Sequence, residues 1–204
     1  MFGVPMKNTY VIGITGGIAG GKTTVSDLIA EKGECVIDAD VVSREVIAPG
    51  TTGEKLLYEA FPEAFEGGTL SRVKLREIAF GSPEKLKKLD EITHPLIRAE
   101  IEKRVLGSDR ERVYLVVPLM FEAGFDELCD YVVTVVSDED KRIKRLKARN
   151  NSIDDDMAER MIHSQLSECE RVTRADGVIV NNDSFERLKE RVDEFYEETK
   201  DLKK

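Results

Sequence analysis

Cysteine, histidine and glutamine are scarce in this chain of 204 residues. Its three cysteines, Cys35, Cys129 and Cys169, are widely spaced and form no C-x-x-C pair, and its two histidines are His94 and His163. That supply is too thin for a zinc site, and an odd, unpatterned cysteine count fits a reducing, cytoplasmic compartment. Long hydrophobic runs are missing. The longest, VYLVVPLMF at 113–121, is far too short to span a bilayer. The opening MFGVPMKNTY has one lysine and no signal-peptide core, and Met6 is an alternative start because the first strand pattern begins near Tyr10. Positive charge is not in excess. A net charge of −9 argues against a general nucleic-acid binder, and it requires any anionic ligand to be drawn in by a local basic cluster. Gln165 is the only glutamine in a chain rich in Glu, Lys and Arg, a composition that leans toward a heat-adapted source.

What is present is an alternation. Short apolar, β-branched runs recur at TYVIGIT (9–15), CVID (35–38), VYLVVP (113–118), YVVTVV (131–136) and GVIVN (177–181). Continuous apolar strands of this kind belong to a parallel sheet covered on both faces. Helical patterns lie between them. Val25, Leu28 and Ile29 share a face up to Gly33, and Asp138 stands as N-cap before Ile143 and Leu146. An Asp183-x-x-Glu186 capping box precedes the stripe Phe185, Leu188, Val192, Phe195. The pattern predicts an α/β fold with a five-stranded parallel sheet flanked by helices. Residues 51–110 break the alternation. They carry apolar residues at helical spacing and no convincing strand. Ser82-Pro83 starts one helix there, and Pro95 interrupts or restarts another. This segment is expected to be a helical insertion. No repeats and no low-complexity linker occur.

GGIAGGKT (16–23) fits G-x-x-x-x-G-K-[ST], follows the strand VIGIT and opens a helix, the context that gives the motif meaning. Glycines let backbone N–H groups curl around phosphate oxygens, and the helix N-terminus adds positive potential. Lys22 can reach the β and γ phosphates, and the Thr23 hydroxyl can hold Mg²⁺. Such a loop serves kinases, ATP-driven motors and GTP switches. A GTP switch needs N-K-x-D and D-x-x-G, and the chain has neither. A motor usually runs larger. A small-molecule kinase fits best, with a nucleotide-binding switch without turnover as the non-enzymatic alternative.

VIDADVVSR (36–44) sets Asp38 and Asp40 at the end of an apolar strand, expected to lie beside the first strand so that both face the phosphate loop. One aspartate can take the proton of an attacking hydroxyl; either can instead be a helix N-cap. The ordered set TGGIAGGKTT, DADVVSREVIAPG, LKKLDEITHPLIR, VPLMFEAGFD, RLKARN and ADGVIVNND resembles the dephospho-coenzyme A kinase family over residues 10–185.

The resemblance implies a single P-loop kinase unit over 1–204. Its core would be 9–50, 111–138 and 166–204, with a CoA-substrate insertion at 51–110 and a lid at 139–165. It implies ATP as phosphate donor with Mg²⁺, and dephospho-CoA as acceptor at its ribose 3′-hydroxyl. It selects Asp40 as catalytic base, leaves Asp38 supporting, and adds Lys22 and Arg145 to the catalytic set. The nucleotide would be held by Gly17, Ile18, Ala19, Gly20, Gly21, Lys22, Thr23 and Thr24. Arg44, Arg72, Arg76, His94 and Arg98 fall on family positions for acceptor contacts; His94 could equally cap a helix end beside Pro95. Two departures stand out. Ala19 and Gly20 replace the family's Gly-Ser, harmless if Ala19 keeps an ordinary φ, and Asn150 follows Arg149 where the family has aspartate.

KRIKRLKARN (141–150) places Arg142, Arg145 and Arg149 three and four apart on one helix face that can clamp phosphates, or face solvent. The resemblance favours Arg145 and Arg149. NSIDDDMAERMIHSQ (151–165) is expected to continue as a helix capped by Ser152, with Met157, Met161 and Ile162 inward. Asn181 and Asn182 can pair with an adenine edge or form a turn. Glu122 lines the crevice or holds an arginine, and Gln165 has no role that the sequence assigns. No nucleic-acid or membrane partner is expected, and the oligomeric state is open.

Overall fold

The β-branched runs assemble into one five-stranded sheet in a computed structural model that describes residues 9–203; the alternative start at Met6 lies outside them. In chain order the elements are β1 (Tyr10–Gly16), α1 (Lys22–Glu31), β2 (Cys35–Asp38), α2 (Ala39–Glu45), α3 (Thr52–Ala60), β3 (Phe65–Glu66), β4 (Thr69–Leu70), α4 (Arg72–Phe80) and α5 (Pro83–Gly107). Then follow β5 (Arg112–Val116), β6 (Tyr131–Val136), α6 (Glu139–Arg149), α7 (Asp155–His163), α8 (Glu168–Arg174), β7 (Gly177–Val180) and α9 (Phe185–Thr199). The chain divides into two compact units, 38–104 and the remainder.

The sheet belongs to the larger unit, in the order β2-β5-β1-β6-β7. The register is parallel: Ile12 lies opposite Tyr114 on one side of β1 and Tyr131 on the other, and Val133 of β6 lies opposite Gly177 of β7. The expectation that β2 neighbours β1 is corrected, because β5 lies between them. The reason is burial. β5 buries Val113 through Val116, as a central strand must, whereas four-residue β2 fully buries only Ile37 and takes the edge. Alternate residues Ile12, Ile14, Tyr114, Val116, Val133, Val135 and Ile179 pack with Val25, Leu28 and Ile29 of α1 and Leu188, Val192 and Phe195 of α9. Each fully buried aliphatic side chain there stabilises the fold by about 1.5–3 kcal/mol. Asp130 and Asp176, each one residue ahead of a strand, accept the backbone N–H of Val11 and Val132 at 2.8 Å.

Several helix starts differ from expectation. Ser184, not Asp183, caps α9, accepting from Arg187 N at 3.3 Å, because Asp183 pairs with Arg191 at 2.7 Å. Phe185 consequently points outward, 56% exposed. Helix α7 begins at Asp155 with Asp154, not Ser152, accepting from Met157 N at 2.8 Å. Three successive acids put negative charge at that N-terminus, where the helix dipole favours it. Ser152 N instead donates to the Asn150 side chain at 3.0 Å. Ile162 is buried, Met161 partly so, and Met157 is exposed rather than inward. Asp138 holds the N-cap position of α6 without a side-chain cap bond.

The unit 38–104 is helical around Leu57, Phe61, Ala64 and Leu75, with Leu89 and Ile92 packed against them. Two features depart from the sequence expectation. Phe65–Glu66 and Thr69–Leu70 form a two-residue ladder around Gly67-Gly68, both at positive φ. Pro95 neither ends nor restarts a helix: α5 runs unbroken for 25 residues. One interior proline costs about 3 kcal/mol. Burial of Ile97 and Ile101 beyond it, and packing of Leu89 and Ile92 before it, exceed that cost. The Ser82 hydroxyl caps this helix, accepting from Lys85 N at 3.5 Å.

Candidate active site

Parallel register brings the C-terminal ends of β1, β6 and β7 to the same edge of the sheet. The phosphate loop leaves β1 there, Ser137 follows β6 and Asn181 follows β7. This edge is where open α/β sheets bind ligands. Gly21, at φ 107, turns the loop into α1, whose first residue is Lys22. Any Cβ at Gly21 would overlap the Asn181 amide, so backbone conformation and space both require glycine. The Lys22 ammonium donates to the carbonyls of Gly16 at 2.7 Å and Gly17 at 3.1 Å. Thr23 is exposed on the first turn of α1 and Thr24 is half-buried beside it.

The loop is tied down from outside. Gln165 accepts the N–H of Ile18 at 2.7 Å, which supplies the role that the sequence left open. Asn181, only 7% exposed, donates its amide to Gly20 O at 2.8 Å. Arg145 donates to Ala19 O at 3.2 Å, to the Ser137 hydroxyl at 3.0 Å and to Asn181 O at 3.0 Å, so it buttresses the loop from its carbonyl side. Arg142 donates from Nε to Ile18 O at 2.9 Å. Arg149 is exposed at the end of α6. The three basic residues of one predicted face therefore have three different environments. Asn182 is bound elsewhere: it accepts from Asp138 N at 2.7 Å and donates to Asp138 Oδ1 at 2.6 Å.

Ala19 does not keep an ordinary φ. It sits at φ 58, the one non-glycine residue at positive φ among those described, and its methyl is buried with Leu146, Ile153, Ala158 and Ile162. Strain of about 1–2 kcal/mol opposes methyl burial worth about 0.8 kcal/mol.

Arg171 escaped the sequence reading. It is the buried residue of α8 at 2% exposure, while Val172 beside it is 39% exposed. No motif marks an arginine turned inward. The usable signal is the neighbouring Ser167-x-x-Glu170 capping box, which fixes the phase of this short helix. Glu122 accepts Leu166 N at 3.0 Å, and its charge acts on Arg171. Burial lowers the pKa of Arg142, and Arg171 nearby lowers it further; burial likewise lowers that of Arg171. Both remain cationic because an arginine starts so high.

In the unit 38–104, Asp38 is the N-cap of α2, accepting from Asp40 N at 2.7 Å and from Val41 N at 3.4 Å. That decides which aspartate caps: Asp40 stands one position further on, in the first turn, exposed. Arg44 closes the same helix, also exposed. Arg72 and Arg76 lie four apart on the exposed side of α4. His94 and Arg98 lie four apart within α5, and His94 meets Asp90 at 3.5 Å. His94 is therefore mid-helix, which removes the helix-end capping role.

A five-stranded parallel sheet carrying a glycine-rich phosphate loop, with arginines and an asparagine converging on that loop, defines a P-loop kinase fold. The chain belongs to the dephospho-CoA kinase family, whose model matches residues 10–187. It is 40% identical over 185 residues to a dephospho-CoA kinase from Shewanella oneidensis, covering 90% of both chains. It is 39% identical over 191 residues to one from Listeria monocytogenes, covering 91% of this chain and 95% of the relative. A crystal structure from Thermus thermophilus superimposes with a TM-score of 0.83 at 31% identity, covering 94% of this chain and 98% of that one. No helix among the described residues is long and apolar enough to cross a membrane.

Proposed function

We propose that this chain transfers the terminal phosphoryl group of ATP to the ribose 3′-hydroxyl of dephospho-CoA, giving coenzyme A and ADP, the last step of coenzyme A biosynthesis. The observation that carries this reading is a phosphate loop with Lys22 at a helix start, in a chain that matches the family from residue 10 to 187. In the reaction the acceptor oxygen attacks the γ-phosphorus, its proton passes to Asp40, and the bond to the β-phosphate oxygen breaks toward ADP. Asp38 supports this by capping α2, which leaves Asp40 the proton-accepting position. Lys22 neutralises charge developing on the phosphates.

Residues 17–24 cradle the phosphates, and Asn181 and Asn182 border the adenine. The arginines of segment 139–165 divide their work: Arg145 holds the loop in shape for transfer, and Arg149 closes on the nucleotide from its exposed position. Mg²⁺ would be held by the Thr23 hydroxyl and the phosphates, which suits an ion that keeps several waters; the described residues offer no cluster of three acidic, His or Cys groups that could hold a metal alone. Segment 51–110 receives the acceptor, with Arg44, Arg72, Arg76, His94 and Arg98 contacting its phosphates and ribose. Free cysteines fit a reducing cytoplasm, and neither nucleic acid nor membrane is a partner.

The test is ADP release from ATP and Mg²⁺ with dephospho-CoA, run beside AMP, CMP, adenosine and no acceptor. Release with dephospho-CoA alone, with product bearing a 3′-phosphate, is the expected outcome. Release with another acceptor would discard the proposed substrate, and release with none would discard the kinase.

A further inference from the structure

Two guanidinium groups meet at Gly17 without acceptors for all their donors. Arg142 is 4% exposed and Arg171 is 2% exposed. Nη2 of Arg142 and Nε of Arg171 are buried and have no hydrogen-bond partner. A Cβ at Gly17 would collide with Arg142 Nη2 and stand 2.8 Å from Arg171 Nη2. Only glycine permits this approach. One nitrogen of each is engaged: Arg142 Nε donates to Ile18 O at 2.9 Å, and Arg171 Nη1 to Leu166 O.

Such an arrangement is costly as it stands. Buried donors are nearly always satisfied, and two like charges withdrawn from water repel each other. Glu139 and Glu168 act on Arg142 from a distance, as do Glu122, Glu168 and Glu170 on Arg171. Among the described residues, none of these carboxylates comes within ion-pair distance of either arginine. What the pair lacks is an anion that accepts several hydrogen bonds. Gly17 also narrows the anion to the phosphates of a bound nucleotide. The Lys22 ammonium donates to Gly16 O and Gly17 O, so three cationic groups converge on one residue of the loop. In a phosphate loop this lysine serves the β and γ phosphates.

We infer that Arg142 and Arg171 form a two-guanidinium subsite for the terminal, transferred phosphoryl group, seated over Gly17 of the loop. The inference rests on ATP being the donor. Forked donors from two directions suit the planar spread of charge over three equatorial oxygens as the group leaves ADP. Neither arginine is a spare member of a solvated basic face. Each is a contact that ADP cannot use and ATP can.

The experiment measures binding of a non-hydrolysable ATP analogue (AMP-PNP) and of ADP, both with Mg²⁺, to the wild type, Arg142→Gln and Arg171→Met. In each variant the preference for AMP-PNP over ADP should fall about 10- to 100-fold while ADP affinity stays nearly unchanged. Equal loss for both nucleotides, with a lowered Tm, would reduce the arginines to props of the loop and overturn the subsite. An unchanged preference would overturn it as well. A fall in dephospho-CoA affinity without a change in nucleotide preference would reassign the anion to the acceptor. Arg142→Lys and Arg171→Lys keep the charge without the fork and should fall between wild type and the neutral variants. The wild type supplies a test without mutation: the Arg171 Nε–H NMR resonance should move on adding AMP-PNP and not on adding ADP. A resonance indifferent to both would refute the contact. ADP release with dephospho-CoA is scored separately, so failure of the acceptor assignment leaves this nucleotide comparison readable.

Discussion

The arginines around the phosphate loop and those of the unit 38–104 carry the same charge and are held in opposite ways. Arg142, Arg145 and Arg171 reach backbone carbonyls of the loop or of its bracing segment, and two of them are nearly sealed from water. Arg44, Arg72 and Arg76 are exposed on helix surfaces, and Arg104 pairs with Glu45 and, at 3.0 Å, with Glu100. Desolvated, fixed donors act strongly on an anion and need no rearrangement when charge develops, whereas exposed ones are screened and mobile. On the proposed reading the nucleotide side is built in advance, and the exposed arginines of the helical unit contribute only once a ligand holds them.

The strongest challenge to this division is Asp40→Asn. It should lower kcat by about 10²–10⁴-fold with ATP affinity nearly unchanged, measured by steady-state rates beside nucleotide titration. Near-normal kcat would move the base elsewhere. Lys22→Ala should lower both rate and nucleotide affinity, with the rate falling on the order of 10²-fold; an unaffected enzyme would undo the phosphate-loop assignment.

Asn181→Ala sharpens the contrast through stability. Removing the amide leaves Gly20 O only the longer 3.5 Å contact from Arg145, a loss of about 1 kcal/mol that thermal unfolding should register as a few degrees. On the other side, His94→Ala removes a half-exposed contact with Asp90 at 3.5 Å, a class of surface contact worth about 0–1 kcal/mol. Its Tm should barely move. KM for dephospho-CoA should rise while KM for ATP stays put, and an equal effect on both would deny His94 the acceptor. The smallest effect belongs to Ala19→Gly. Relief of left-handed strain and loss of a buried methyl nearly cancel, so Tm should shift by no more than a few degrees in either direction. A large destabilisation would show that the Ala19 methyl anchors the cluster of α6 and α7 to the loop.

How much could be read before folding varied by element. The strands at 10–16, 112–116 and 131–136 and the phosphate loop were legible because apolar runs, glycine spacing and Lys-Thr are local patterns. Helix starts were less so. Ser184 replaced Asp183 only because Arg191 captured the aspartate, a competition settled in three dimensions. The same holds for Pro95, which looks like an interruption in sequence and is overridden by burial on both sides of it.

For the site, residues 16–24 and the Asp38-Asp40 pair were visible as motifs, although which aspartate caps α2 needed the backbone geometry. Arg171 was invisible. A helix that exposes Val172 and buries Arg171 runs against hydropathy, and it does so because Arg171 donates to Leu166 O and lies against Gly17 of the phosphate loop.

The alternating α/β order, the phosphate loop and the family can all be read from the chain before folding, since each is written in short-range spacing or in the order of motifs. Which strand flanks β1, which aspartate caps, and which arginines are sealed against Gly17 were settled in three dimensions. Those choices depend on burial and competition between groups up to more than a hundred residues apart, and no local pattern carries that information.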